Sequence, residues 1–140
     1  MKNTKQSGFT LVELLVVLAI IGLLAGLVGP KVLNQLSGAK SDTAKVQIRD
    51  FEQALEIYML DTGEFPRSEH GLEALVSNPG QVAGWNGPYL RRNEIPQDPW
   101  NRDYQYKSPG EHADVDIYSL GSDGKPGGEG DAADVGNWQL

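Results

Sequence analysis

Cysteine is absent from the 140 residues. No disulfide can brace the chain, and no thiol can act as a nucleophile or metal ligand. A basic excess is missing too: 12 Lys and Arg stand against 19 Asp and Glu, for a net charge of −7. Nucleic-acid binding calls for a basic face, so that class of partner is excluded. Histidine is scarce. His70 and His112 have no spacing that suits triad or metal chemistry, and both are expected to be exposed to solvent. No Gly-x-x-x-x-Gly-Lys loop is present to hold a nucleotide phosphate. The chain reads as a non-enzyme, and any work it does must draw on energy supplied elsewhere.

Charge is also lacking from Phe9 to Val28, apart from Glu13. As a helix this run covers roughly 30 Å, the thickness of a bilayer core. A basic stretch, Met1 to Ser7 with Lys2 and Lys5, precedes it. A secretory signal peptide would be shorter and would end in an Ala-x-Ala-like site, but Gly-Pro-Lys follows here. A plain signal anchor explains the length and the basic flank, with the start held in the cytoplasm. It leaves Glu13 without a role, although a carboxylate at the centre of such a span costs about 2.5–3.5 kcal/mol.

Gly8-Phe9-Thr10-Leu11-Val12-Glu13 accounts for every one of these features. It resembles the processing site of the type IV pilin and pseudopilin family. The resemblance implies that a prepilin peptidase removes residues 1–8 by cutting between Gly8 and Phe9. It also implies N-methylation of the new Phe9 amine and retention of residues 9–29 as a membrane-spanning, filament-core helix. Glu13 would neutralise the Phe9 ammonium of a neighbouring subunit. A buried ion pair contributes more to register than to stability, and register is what stacked subunits need.

Beyond Gly29 and Pro30 the apolar spacing continues through Val32, Leu33, Leu36, Ala44, Ile48, Phe51, Leu55 and Tyr58 or Met59. Steps of three and four mark an amphipathic helix. One helix is predicted from about Phe9 to about Leu60, with residues 30–60 as its amphipathic part and a soft joint at Gly29–Pro30. Gly63 and Pro66 end it. Residues 61–140 form a globular head. A short second helix is expected over Ser68 to Val76, with Ser68 as its N-cap. Three strands are expected over Gly87–Leu90, Asp103–Lys107 and Val115–Leu120. Short connections make them antiparallel. Trp85, Tyr89, Trp100, Tyr104 and Tyr106 belong to the core, and Asp114 and Asp116 to a solvated strand face. The fold class is α+β, a long helix packed on a small antiparallel sheet.

Asp61 to Pro66 with Glu69-His70-Gly71-Leu72, Pro96 to Asn101 with Tyr104-Gln105-Tyr106, and Asp116 to Gly124 narrow the likeness. Together they are similar to the major pseudopilin family of type II secretion systems, nearly from end to end. The absence of the C-terminal disulfide usual in type IV pilins agrees with that branch.

Residues 120–138 are rich in glycine and carry Asp123, Glu129, Asp131 and Asp134, with Trp138 beyond them. Composition alone allows a disordered acidic loop. A Trp near a chain end is more often an anchor, and glycine lets carbonyls turn towards a hard cation. The spacing is not that of an EF-hand. The family resemblance implies a calcium site here. The Asp123 side chain and the Leu120 and Lys125 carbonyls are the ligands it carries over. Gly128 would add a carbonyl, and Asp131 or Asp134 the second carboxylate.

The same resemblance implies a subunit of a periplasmic pseudopilus that helps export folded proteins. It would sit in the inner membrane as a single pass, head in the periplasm. Its partners would be its own copies, minor pseudopilins, the prepilin peptidase and the inner-membrane assembly platform. Charge alone suggests that Glu52 or Glu56 of one head meets Arg91 or Arg92 of the next. A type IV pilus or competence pilin, and a membrane-anchored calcium-dependent binding module, are the alternative readings.

Overall fold

A computed structural model describes residues 7–140. Lys2 and Lys5 of the expected leader lie outside them. The chain divides into two compact units, one ending at Leu36 and the other spanning Ser37–Leu140. Helix α1, Leu11–Thr62, runs through both and continues across Pro30. Proline has no N–H to give the residue four earlier, so the Gly26 carbonyl loses its helical donor.

Up to Leu36 the apolar side chains of α1 are exposed along the whole helix, among them Leu14, Leu18, Ile21, Leu24 and Leu27. The helix is long and apolar enough to cross a membrane. From Ser37 onward α1 has two faces. Ala44, Ile48, Phe51, Ala54, Leu55 and Tyr58 are buried. Tyr58, not Met59, completes the stripe, since Met59 is exposed. The helix closes where the Gly63 N–H donates to the Met59 carbonyl at 2.8 Å.

The sheet has three antiparallel strands in the order β1 (Gln105–Lys107), β2 (Asp116–Ser119) and β3 (Val135–Gly136). Tyr106 sits opposite Ile117, and Tyr118 opposite Gly136. Ile117, Val115, Val135 and Tyr104 join the α1 stripe and Leu72, Ala74 and Leu75 in one core. Phe51 and Tyr104 meet edge to face, with ring centroids 5.1 Å apart.

Three expectations are corrected. Gly87–Leu90 is not a strand. The Tyr89 N–H donates to the Leu75 carbonyl at 2.7 Å, and its ring packs edge-on to Tyr58 and Trp85. The aromatic alternation there reflects packing onto the helices, not a sheet. The second helix is a 3₁₀ turn of five residues, Gly71–Leu75, and Ser68 does not cap it. The Ser68 hydroxyl instead donates to the Ser108 carbonyl at 2.9 Å and accepts the Ser108 N–H at 2.8 Å, so a contact forty residues distant claims it. Finally, the third strand is β3, inside the stretch expected to be loop.

Candidate functional site

Two separate regions carry the residues singled out by the sequence. At the start of α1, Thr10 and Glu13 cap the helix reciprocally. The Thr10 N–H donates to Glu13 Oε2 at 2.8 Å, and the Glu13 N–H donates to Thr10 Oγ1 at 3.2 Å. This is a capping box, and it satisfies two of the donors that a helix N-terminus leaves open. It uses one carboxylate oxygen and leaves Oε1 without a donor among the described residues. Gly8 and Phe9 precede the helix, and the Phe9 side chain is 87% exposed. A helix N-terminus also favours negative charge electrostatically. The Glu13 carboxylate therefore suits its place, one turn from the bond at which processing would occur.

The second region is the loop from Leu120 to Asp134. It closes on itself: the Ser122 N–H donates to the Asp131 carbonyl at 2.9 Å. Gly128 lies so close to the Ala132 carbonyl that a Cβ there would collide with it. Asp123 Oδ1 accepts the Lys125 N–H at 3.0 Å, and Asp134 Oδ2 accepts the Gly127 N–H at 2.9 Å. The other Asp134 oxygen, Oδ1, is buried with no hydrogen-bond partner. Asp131 is differently employed, since its Oδ1 accepts the Ser37 hydroxyl at 2.9 Å and the Trp100 Nε1–H at 3.1 Å. An anionic oxygen buried without a donor is costly unless a cation meets it. Among the described residues no three His, Cys, Asp or Glu side chains converge. A cation held here would therefore need backbone carbonyls beside the carboxylates, as hard ions accept.

Asp116 departs from expectation. It is 3% exposed, not on a solvated face. Its carboxylate accepts the N–H groups of Glu111 (2.8 Å), His112 (3.2 Å) and Ala113 (3.1 Å) and lies 3.0 Å from His112 Nδ1. His112 in turn stacks on Trp138, ring centroids 4.1 Å apart, so it is exposed but not free. His70 is half-buried. Alternation along β2 hid the Asp116 cluster. The turn that follows Pro109-Gly110 was the available signal, because its N–H groups need an acceptor.

Burial pushes the Asp116 pKa up, but hydrogen bonds from Glu111, His112 and Ala113 outweigh it and hold the group below its ordinary 3.8. A depressed folded value means stabilisation above the unfolded value that is lost as pH falls through the folded one. The melting temperature of the wild-type chain should therefore fall below about pH 3.8. Asp116→Ala strands three donors and should cost about 3 kcal/mol at neutral pH. It should also flatten that acid limb. Thermal melts across pH measure both.

Glu52 and Glu56 line one surface groove with Asp114. Arg91 and Arg92 line another, of about 200 Å³, with Asp50 and Glu94. The Glu52 carboxylate accepts a hydrogen bond from Asn137 Nδ2 at 3.1 Å, whereas Glu56 is exposed.

Residues 31–138 match the family described as Type II secretion system (T2SS), protein G, and residues 3–29 match the Prokaryotic N-terminal methylation motif. The type II secretion system core protein G of Vibrio cholerae is 44% identical over 142 residues, covering 99% of this chain and 96% of that protein. The core protein G of Pseudomonas aeruginosa is 46% identical, covering 99% of each. The crystal structure of the major pseudopilin from the type 2 secretion system of enterohaemorrhagic Escherichia coli superposes with a TM-score of 0.65. It is 39% identical and covers 77% of this chain and 94% of that one. Long helix, small antiparallel sheet and methylation motif coincide with these matches, and the chain belongs to the type II secretion system protein G family of pseudopilins.

Proposed function

We infer that this chain is the major structural subunit of a pseudopilus, a building block and not an enzyme. The observation that carries the reading is the apolar helix surface up to Leu36, exposed along its length and preceded by the Gly8-Phe9 junction. Such a surface must be covered by lipid or by other copies. The subunit waits in the inner membrane with its head in the periplasm, as the basic Lys2 and Lys5 before the span favour. Prepilin peptidase frees Phe9, and the assembly platform feeds the subunit into a fibre that minor pseudopilins complete. Glycine and proline at Gly29–Pro30 make the joint that eases the helix out of the bilayer. Glu56 or Glu52 pairs with Arg91 or Arg92 of a neighbouring head. The growing fibre moves folded proteins outward, powered by a separate cytoplasmic ATPase.

Calcium belongs in the head. Asp123 and Asp134 supply carboxylates, and Leu120, Lys125 and Gly128 supply carbonyls. The unpartnered Asp134 Oδ1 supports this assignment, and the engagement of Asp131 by Ser37 and Trp100 supports Asp134 as the second carboxylate. The ion supplies positive charge that ties the two ends of an acidic loop.

Intact mass of the protein extracted from membranes tests the reading. The expected species has lost Met1 to Gly8 and gained one methyl group on Phe9. A chain that keeps Met1 in actively secreting cells would remove the pseudopilus assignment.

A further inference from the structure

We propose that Arg102 is a positioning residue for the C-terminal loop, fixing the backbone ahead of Asp123 before any cation binds. The inference rests on calcium being the ion of that loop. Its starting point is Asp98, a buried carboxylate in the head. Asp98 Oδ1 accepts the Trp100 and Arg102 N–H groups at 3.0 and 2.9 Å. The Asp98 N–H donates back to the Arg102 carbonyl at 2.8 Å. Both backbone groups of Arg102 are thereby pinned. Asp98 Oδ2 accepts the Ser119 hydroxyl, whose oxygen accepts the Gly121 N–H at 3.2 Å. One carboxylate thus anchors the root of Arg102 and the entry of the loop.

From that root the guanidinium reaches the loop itself. Arg102 Nη1 donates to the Gly121 carbonyl at 2.8 Å and to the Ser122 carbonyl at 2.7 Å. Gly124 lies against it, with φ +66° and space for a Cβ only 2.7 Å from Arg102 Nε. The guanidinium therefore takes the carbonyls of Gly121 and Ser122, and not those of Leu120 or Lys125. It thereby engages two carbonyls that a cation in the loop could not then use. Charge-assisted hydrogen bonds of this kind are strong and directional, and a loop already in its binding shape binds more tightly than one that must first order.

Coulomb's law alone argues the other way, since a fixed positive charge near a cation site weakens binding. The sign of the effect therefore decides. Calcium chloride would be titrated calorimetrically into the full chain in detergent, as wild type, Arg102→Met and Arg102→Lys. If nearly all metal-free loops hold the competent shape with Arg102 and about one-tenth do without it, Arg102→Met raises Kd about tenfold. Arg102→Lys keeps a charge and a donor and recovers part of that loss. An unchanged Kd in Arg102→Met, with a lower Tm in chelator and calcium alike, makes Arg102 merely structural and overturns the proposal. A lower Kd means that repulsion outweighs positioning, and it overturns the proposal too. A wild-type chain that takes no calcium overturns the calcium reading itself, an outcome distinct from both. If Arg102→Met does not fold, hydrogen exchange in the wild-type chain decides. The Gly121, Ser122 and Lys125 amides, which have acceptors, should stay protected in excess chelator, and free exchange at Gly121 and Ser122 would sink the idea.

Discussion

Glu13→Ala should leave a folded head and an inserted, cleaved subunit, yet give no fibres by electron microscopy and no exported protein in the culture medium. The reason lies in what apolar surroundings do to charge. On the proposed processing, cleavage would leave an ammonium on Phe9. Within a bundle of apolar helices only a carboxylate can neutralise its charge, and Glu13 is the one acidic side chain between Phe9 and Pro30. Removing one partner of a buried pair costs about 3–5 kcal/mol, because the other is stranded. That penalty recurs at every subunit, so the fibre has no favourable register in which to grow.

The structure adds a complication that a second variant resolves. Glu13 also closes the capping box with Thr10, so Glu13→Ala removes both a helix cap and a charge. Loss of a cap costs about 1 kcal/mol, too little to abolish assembly of a helix as long as Leu11–Thr62. Glu13→Gln separates the roles, since its amide oxygen can still accept the Thr10 N–H while the charge is gone. If ion pairing governs assembly, Glu13→Gln fails as Glu13→Ala does. If Glu13→Gln makes normal fibres, the cap is what matters and the ion-pair mechanism falls.

The long helix and the N-terminal methylation motif were readable because their signals are local. Apolar spacing needs only neighbours three and four apart, and it placed Ala44, Ile48, Phe51 and Leu55 on the buried face. The motif depends on a handful of adjacent residues. Strand reading was less secure where partners are distant. β1 and β2 came out with nearly the expected bounds because Pro109-Gly110 marks the turn between them. β3 has two residues, too few for any alternation to show. Tyr89 has a strand-like pattern around it, yet its backbone is bonded to Leu75. Polar side chains were the hardest to place. Ser68, Asp98 and Asp116 look like ordinary surface or turn residues, and each gained its role from N–H or hydroxyl groups that the folded chain brings to it. Arg102 belongs with them: its importance is visible only when the carbonyls it reaches are known.

If calcium occupies the C-terminal loop as proposed, its withdrawal is the other perturbation with a large expected effect, and it should act on the head. A ligand that binds only the folded state stabilises it by about 2.7 kcal/mol at a hundred times its Kd. For a domain of this size that is roughly 10–20 °C in Tm. Excess chelator should lower the melting temperature of the wild-type chain by that amount and open the loop to proteases. Asp134→Ala should match the chelated wild type and respond to neither calcium nor chelator. It also removes both the buried oxygen that lacks a donor and the acceptor of the Gly127 N–H, effects of opposite sign, so without metal its stability should lie close to that of the wild type. Asp131→Ala should behave differently. It breaks bonds to Ser37 and Trp100, so it should lower the melting temperature with and without calcium while keeping the calcium response. A wild-type head indifferent to chelator, or an Asp134→Ala variant that keeps the full response, would take the metal out of this loop and leave the buried Asp134 oxygen to be explained in another way.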